Sequence, residues 1–420
     1  MDDARTLNLS DLLSRAQTGE AEAQYLLGNN YRYGWSVERD PGRAARWLEK
    51  AAVSGHALAQ LALGEMLAAG EGSVQNHAAA YQWFLAAAEQ GCAGAQAMAG
   101  WCSQQGLGTE ADLEAAYRWY RSAAESGNAA ARYNLGHMYA TGEGVTLDLR
   151  LAVHWYRKAA EQGHTQAQLN LGLAYARGTG VERDDEEAVH WYSLAAERGY
   201  AKAQFNLGLM YSGGHGVRQD DEAAAYWMKE AAEQGYVKAQ FTLAQLYANG
   251  LGIERDDARA AYWYRMAAEQ GYAKAEYALA GAHARGLGVA PDPQAAMAWY
   301  RRAAEHGYDR ARYRLARLLM QAAPPDDAGA FRLLGAAAEN GHSRAQYYLG
   351  LMYATGRGCR KDLLKAAAWL QLAEAAGIAD AERPLHQLGT RLSDAELVEA
   401  GVLAGRFRLA IERRVASENP

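Results

Sequence analysis

Glycine returns along this chain at a fixed interval, at Gly19, Gly55, Gly91, Gly127, Gly163, Gly199, Gly235, Gly271, Gly307, Gly341 and Gly377, in nine steps of 36 residues and one of 34. A period of that length marks a repeat array, in which each unit contacts only its neighbours. It replaces the expectation of about three domains that 420 residues would otherwise raise. The fifth repeat shows the pattern. It carries Ala167, Gln168, Leu171, Gly172 and Tyr175, then Gly178 and Gly180, then Asp184, Ala188, Trp191, Tyr192, Ala195, Ala196 and Glu197 before Gly199. The counts of 26 Tyr and 11 Trp against 5 Phe agree that one aromatic pattern is being copied.

Positions within a repeat are numbered from the glycine that opens it. The spacing predicts a first helix over positions 2–14, ended by a Gly-x-Gly turn in which glycine supplies the left-handed backbone that stops a helix. Position 21 is Asp or Asn in nine of ten repeats, from Asp40 to Asp362, and such side chains cap a second helix. Pro41 and Pro293 follow at the first helical position, where proline is tolerated. Position 28 is Trp in nine repeats (Trp47, Trp83, Trp119, Trp155, Trp191, Trp227, Trp263, Trp299 and Trp369). Facing the small alanines of positions 32 and 33, it reads as a wedge between helices rather than as part of a cofactor site.

Two short helices cannot bury their apolar faces alone, so the units must stack, giving an all-α, right-handed α-solenoid. Residues 1–18 read as an N-terminal capping helix with Ser10 as its N-cap, residues 19–377 as ten repeats, and residues 378–420 as C-terminal capping helices. In that last segment Ala379 and Ala381 echo an eleventh first helix, and a charged closing helix starts at Ser393 or Asp394 and runs through Arg413 and Arg414. Repeat nine lacks two residues, has Ala322, Ala323, Pro324 and Pro325 in place of Gly-x-Gly, and places Leu333 where Trp is expected; it reads as a bend or as decay of the repeat.

The motif Ala-x-Ala-Gln-x-x-Leu-Gly-x-x-Tyr-x-x-Gly-x-Gly-Val, followed by Ala-x-x-Trp-Tyr-x-x-Ala-Ala-Glu-x-Gly, resembles the SEL-one-like repeat family, a relative of the tetratricopeptide repeats, over residues 19–377. The resemblance implies an α-solenoid used as an adaptor or scaffold for other proteins, often in bacterial signalling or envelope assembly and in eukaryotic quality control. It implies no chemistry. Some secreted relatives carry a cysteine pair in each repeat, which this chain lacks.

Positions shared by all repeats make the scaffold, so ligand information lies where the copies differ. At 100° per residue, positions 3, 7, 10 and 14 of the first helix form a stripe facing away from the scaffold contacts, whereas position 6 packs on the next repeat. By analogy with tetratricopeptide solenoids, the stripe lines a concave groove. It opens with Glu22, Leu26, Asn29, Tyr33 and Glu65, then brings Met98, Trp101, Asn134 and His137, then Asn170, Leu173, Arg177, Lys202, Asn206 and Leu209. From there it is basic, with Lys238, Lys274, Arg285, Arg310, Arg314, Arg317 and Arg344, in a chain whose net charge is -6. Asn134, Asn170 and Asn206 form a ladder suited to holding an extended peptide backbone, and Trp101 reads as an aromatic anchor or as an inward twist of repeat three. Two readings of the bases compete. They form a groove for an acidic peptide or protein partner, or they are neutralised locally, because Lys202, Lys238, Lys274, Arg310 and Arg344 each lie five residues after a glutamate. Against the second, Glu89, Glu125 and Glu161 have no basic partner at that offset, and a cation in a first helical turn opposes the macrodipole.

The acidic balance and the absence of regular exposed aromatics argue against nucleic-acid binding, which stays the alternative for the basic half. The spacing shows no His/Cys ligand cluster, no phosphate loop after a strand and no nucleophile motif, so neither an enzyme nor a cofactor is expected; a hydrolase by unrecognised convergence is the remotest reading. No 18-residue apolar run predicts membrane insertion. The first residues lack a secretory pattern, and the three scattered cysteines suit a reducing compartment, so the expected location is cytoplasmic.

Overall fold

The computed structural model describes residues 9–418, and its helices build two compact units, residues 1–219 and 220–420. The first unit begins with α1 (Leu9–Gln17) and continues in pairs: α2 (Ala21–Tyr33) with α3 (Pro41–Val53), α4 (Ala57–Ala69) with α5 (His77–Glu89), α6 (Ala93–Gln105) with α7 (Leu113–Glu125), α8 (Ala129–Thr141) with α9 (Leu149–Glu161) and α10 (Thr165–Arg177) with α11 (Asp185–Glu197), ending in α12 (Ala201–Gly213). The second begins with α13 (Asp221–Glu233) and pairs α14 (Val237–Asn249) with α15 (Asp257–Glu269), α16 (Ala273–Arg285) with α17 (Pro293–Glu305), α18 (Asp309–Gln321) with α19 (Asp327–Glu339) and α20 (Ser343–Thr355) with α21 (Leu363–Ala375). A 3-10 turn (Ala379–Ala381), α22 (Glu382–Gly389) and α23 (Asp394–Glu418) follow. No strand occurs among the described residues.

Local chemistry explains the uniform 13-residue helices of the repeats. Alanine, leucine, glutamine and glutamate dominate them. First helices such as α2 and α10 end at glycines in the left-handed region, Gly34 at φ 73 and Gly178 at φ 67. The second glycine of the turn serves a different purpose: a Cβ on Gly252 would run into the Asp221 carbonyl at the start of the preceding second helix. In nine of the ten repeats the second helix is capped by the residue at position 21, for example Asp40 accepting from the Arg43 amide at 2.8 Å. The tenth cap is Asp326, which accepts from the Gly329 amide at 2.8 Å. The two missing residues of repeat nine therefore come out of the turn and leave both helices at full length.

Two side-chain contacts organise the packing. Inside a repeat, the residue at position 29 seats on a small residue at position 9: a Cβ on Gly172 would lie 2.7 Å from the Tyr192 ring, and Gly100 and Gly136 stand 2.8 Å from Tyr120 and Tyr156 in the same sense. Between repeats, a buried glutamine at position 5 donates through Nε2 to an alanine carbonyl of the preceding repeat. Gln60 does so to Ala52 at 3.1 Å, Gln168 to Ala160 at 3.2 Å and Gln346 to Ala338 at 3.2 Å. Position 6 stacks on the next repeat as expected, with Tyr133 on His164 at 4.7 Å and Tyr313 on His342 at 5.1 Å.

The wedge is therefore the residue after the tryptophan. Trp191 and Trp369 are buried, but Trp47, Trp155, Trp227 and Trp299 keep an exposed edge. Cations lie over several of these rings, including Lys158 at 4.9 Å from Trp155 and Arg302 at 4.8 Å from Trp299. The position 28 side chain sits at the rim of the core because position 29 already fills the space above the glycine.

The caps differ in part from the sequence expectation. Ser10 lies inside the first turn of α1, and the start of the predicted 1–18 cap falls outside the described residues. The eleventh first helix shrinks to the 3-10 turn and the eight-residue α22. The closing helix α23 begins as expected, with the Ser393 amide and hydroxyl both donating to Glu396 at 2.8 and 2.7 Å, and it covers α21 by stacking Phe407 on Trp369 at 4.4 Å.

Replacing the buried Tyr156 by Ala should cost about 3–5 kcal/mol and replacing its neighbour Trp155 clearly less; urea midpoints of the two variants compare them directly. Phe407→Ala should speed hydrogen exchange in α23 while leaving α14 protected. His164 and His342 cap α10 and α20 by accepting amide protons on Nδ1, and burial holds both below the usual histidine value of 6.5. Their contribution is therefore present above about 6.5 and is lost as pH falls through their depressed values. The double variant His164→Asn, His342→Asn, which copies the Asn128 cap of α8, should flatten the acid limb of a stability–pH profile.

Candidate binding surface

The first helices carry all the residues of the variable stripe, and the structure divides them by position. Position 3 faces solvent, with Lys202, Lys238, Lys274, Arg310 and Arg344 exposed, whereas position 10 is mixed: His137, Leu209 and Trp101 are exposed, the last at 40%, Leu173 and Arg317 are half-buried and Asn29 is buried. Among the described residues none of those five cations forms an ion pair, although each lies near a glutamate in sequence. Glu233 pairs instead with Lys229 at 3.7 Å and Glu339 with Arg414 at 3.5 Å. Trp101 points outward, which settles it as an exposed side chain rather than an inward twist.

The asparagines of position 7 are half-buried, whereas Arg314 at the same position is exposed. The Tyr120 hydroxyl donates to Gln104 Oε1 of its own repeat at 3.0 Å, with Asn134 of the next repeat close enough to favour its ionised form. Burial pushes the Tyr156 phenol up to about 12, and the nearby Asn170 partly offsets that. The Arg314 charge acts in the same direction on Tyr300. Where the wedge has no hydroxyl, as with Leu48 or Phe84, the next position 7 is Ala62 or Met98. Each asparagine of the ladder thus follows a wedge tyrosine, although Tyr264 is followed by Ala278. Asn206 breaks the pattern, since its Nδ2 is buried without a hydrogen-bond partner.

In the first unit, Asn170, Leu173 and Arg177 line an open pocket of about 160 Å³ with Tyr156 and Val153. In the second, Arg317 lies over the Tyr348 ring at 4.4 Å and donates to the hydroxyls of Tyr313 and Tyr348. Arg317 and Arg344 line a pocket of about 380 Å³ with Tyr313, Tyr347 and Asp380. Arg285 is exposed, with its Nε on the Gly281 carbonyl at 3.1 Å.

A further pocket escaped the charge-led reading. Tyr33 and Trp35 stack at 4.9 Å on repeat one and, with Leu58 and Glu65, line a space of about 430 Å³. The available signal was the repeat itself: Trp35 stands where other repeats carry residues such as Glu71, Glu143 or Thr179. Among the described residues no group of His, Cys, Asp and Glu is arranged to hold a metal ion, and no helix is long and apolar enough to cross a membrane.

None of the functionally curated proteins matches the chain. Solved structures do, two of them over most of the chain. The crystal structure of c5321, a protective antigen present in uropathogenic Escherichia coli strains displaying an SLR fold, is 32% identical over 97% of this chain and 97% of that one, with a TM-score of 0.68. A Sel1 repeat protein from Oxalobacter formigenes is 33% identical over 74% of this chain and 90% of that one, with a TM-score of 0.56. The Sel1 repeat profile matches ten consecutive segments, from residues 21–56 to 343–378. With ten such repeats and that likeness, the chain belongs to the Sel1 repeat family, whose α-solenoids generally serve protein–protein interaction.

Proposed function

We propose that the chain is a non-catalytic adaptor of the cytoplasm that captures an acidic, extended segment of a partner protein. The observation that carries this reading is the row Lys238, Lys274, Arg310 and Arg344 on the first helices of the second unit, all exposed and without an ion pair among the described residues. Repeated cations at one helical position, none of them ion-paired among the described residues, suit carboxylates spaced along an extended chain. Arg310 and Arg344 offer paired hydrogen bonds to such groups and the lysines a point charge. Arg317, already fixed by Tyr313 and Tyr348, is pre-oriented for the same task, and Arg285 extends the row. Arg314 is exposed on the same helix as Arg310 and Arg317 and adds a further cation there.

The first unit adds a surface of mixed character. Leu173 and Leu209 offer apolar contacts beside Arg177 and Lys202, with Trp101 and His137 exposed on earlier repeats. Asn134, Asn170 and Asn206 are half-buried, and the Asn206 Nδ2 is shut away from solvent, so the cations rather than the amides would meet the ligand. The three cysteines are free thiols, in keeping with a reducing compartment.

Fluorescence anisotropy with a labelled Asp/Glu-rich peptide tests the reading. Affinity should fall as salt rises, because exposed charges are screened. The double reversal Lys238→Glu, Lys274→Glu should weaken binding by roughly tenfold or more with an unchanged melting temperature, since neither side chain touches the core. A labelled single-stranded oligonucleotide serves as the counter-probe. If it binds more tightly than the peptide, with a steep salt slope, the nucleic-acid reading takes over.

A further inference from the structure

Helix α23 has two apolar faces where a closing helix needs one. Its inner face, with Ala400 and Ala404 buried and Phe407 and Ile411 half-buried, packs against the last repeats. On the opposite face Val398 is 69% exposed, Val402 53% and Leu409 54%. These residues fall at i, i+4 and i+11, one stripe along the helix. Gly401 and Gly405 lie between them, each with open space where a Cβ would point. A helix that only closed the stack would be polar here.

Charge says what covers the stripe. The first half of α23 carries Asp394, Glu396 and Glu399 and no base, while the second half carries Arg406, Arg408, Arg413 and Arg414 against Glu412 and Glu418. The helix dipole favours that order only within the terminal turns, whereas Glu399, Arg406 and Arg408 lie mid-helix. Neither Glu399 nor Arg406 has an ion-pair partner among the described residues.

We propose that α23 pairs with α23 of a second copy of this chain, antiparallel about a two-fold axis. In that arrangement the acidic half of each helix meets the basic half of the other, and the dipoles oppose. Val398 falls opposite the partner's Leu409, and Val402 opposite the partner's Gly405, so a branched side chain meets a gap. Glu399 and Arg406 share one flank of the stripe, so an antiparallel two-fold brings each to the other across the seam, twice per dimer. A parallel pair would separate them. The interface is isologous and closes at two copies. It is independent of the cationic surface proposed above.

Sedimentation velocity of the full chain between about 1 and 100 µM measures the association. The expected result is a monomer–dimer equilibrium that Val402→Glu weakens roughly tenfold or more, with circular dichroism unchanged because Val402 faces solvent. Glu399→Arg and Arg406→Glu should each weaken the dimer, and the double variant Glu399→Arg, Arg406→Glu should restore it. A chain that stays monomeric at about 100 µM overturns the proposal, whatever other protein covers the stripe. So does a dimer indifferent to Val402→Glu, or a double variant no better than the single ones.

Discussion

The distance between the two helices of a repeat rests on one contact, a large side chain at position 29 laid on a residue too small to push it away. Tyr192 on Gly172, Tyr120 on Gly100 and Leu370 on Gly350 leave no room for a methyl without movement. Close approach lets the alanines of both helices interlock, and cores packed at crystal-like density tolerate little change in that spacing. The rest follows from it. The tryptophan at position 28 is displaced to the rim, where its outer face meets lysine or arginine. The tyrosine hydroxyl, carried into the core by its ring, needs a polar neighbour: Tyr120 donates to Gln104 of its own repeat at 3.0 Å, and Asn170 of the next repeat lies by Tyr156.

Stacking adds a second constraint. The glutamine amide at position 5 is buried, and leaving its donor unsatisfied would cost about 1–3 kcal/mol. An alanine carbonyl eight residues earlier accepts it at one junction after another, and Arg132 and Arg312 reproduce the bond with a guanidinium N–H. Once positions 5, 6, 9 and 29 are committed to the stack, position 3 is left free of packing. Its change from Gly94, Ala130 and Gln166 to lysine and arginine therefore owes nothing to core formation.

Periodicity made the fold legible because spacing, caps and turn glycines are local properties. The ends of the 13-residue helices and the role of Asp at position 21 could be read directly. The wedge could not, since Trp191 and Tyr192 are adjacent aromatics and only the direction of each side chain relative to Gly172 separates them. Asp326 was hidden by the shortened turn of repeat nine, which shifts its number by two. The stripe was half legible. A 100° rotation places position 7 beside positions 3 and 10, but helix packing tilts it into the junction, so the asparagine ladder is divided between scaffold and surface. The Tyr33–Trp35 pocket departs from the repeat in aromatic bulk rather than charge, and a reading led by charge passes over it.

Repeat eight shows why counting charges along the stripe was not enough. Glu276 stands where other repeats place glutamine, fully buried, and an ionised carboxylate has no proton to give the Ala268 carbonyl. It meets Arg302 at 3.3 Å and His306 at 2.8 Å, both contributed by the second helix of its own repeat and the turn that follows. Removing one partner from a buried charge costs about 3–5 kcal/mol, so Arg302 and His306 belong to the fold even though each is nearly half exposed. The bond to the preceding repeat is lost, and the contact within the repeat, which Gln90 makes to Gln60 and Gln270 to Gln240 elsewhere, becomes ionic. Arg302 and Lys274 are both exposed cations of this repeat, yet the first is neutralised by a carboxylate at the buried glutamine position. The second has no such partner, and that difference assigns one base to the scaffold and the other to the surface.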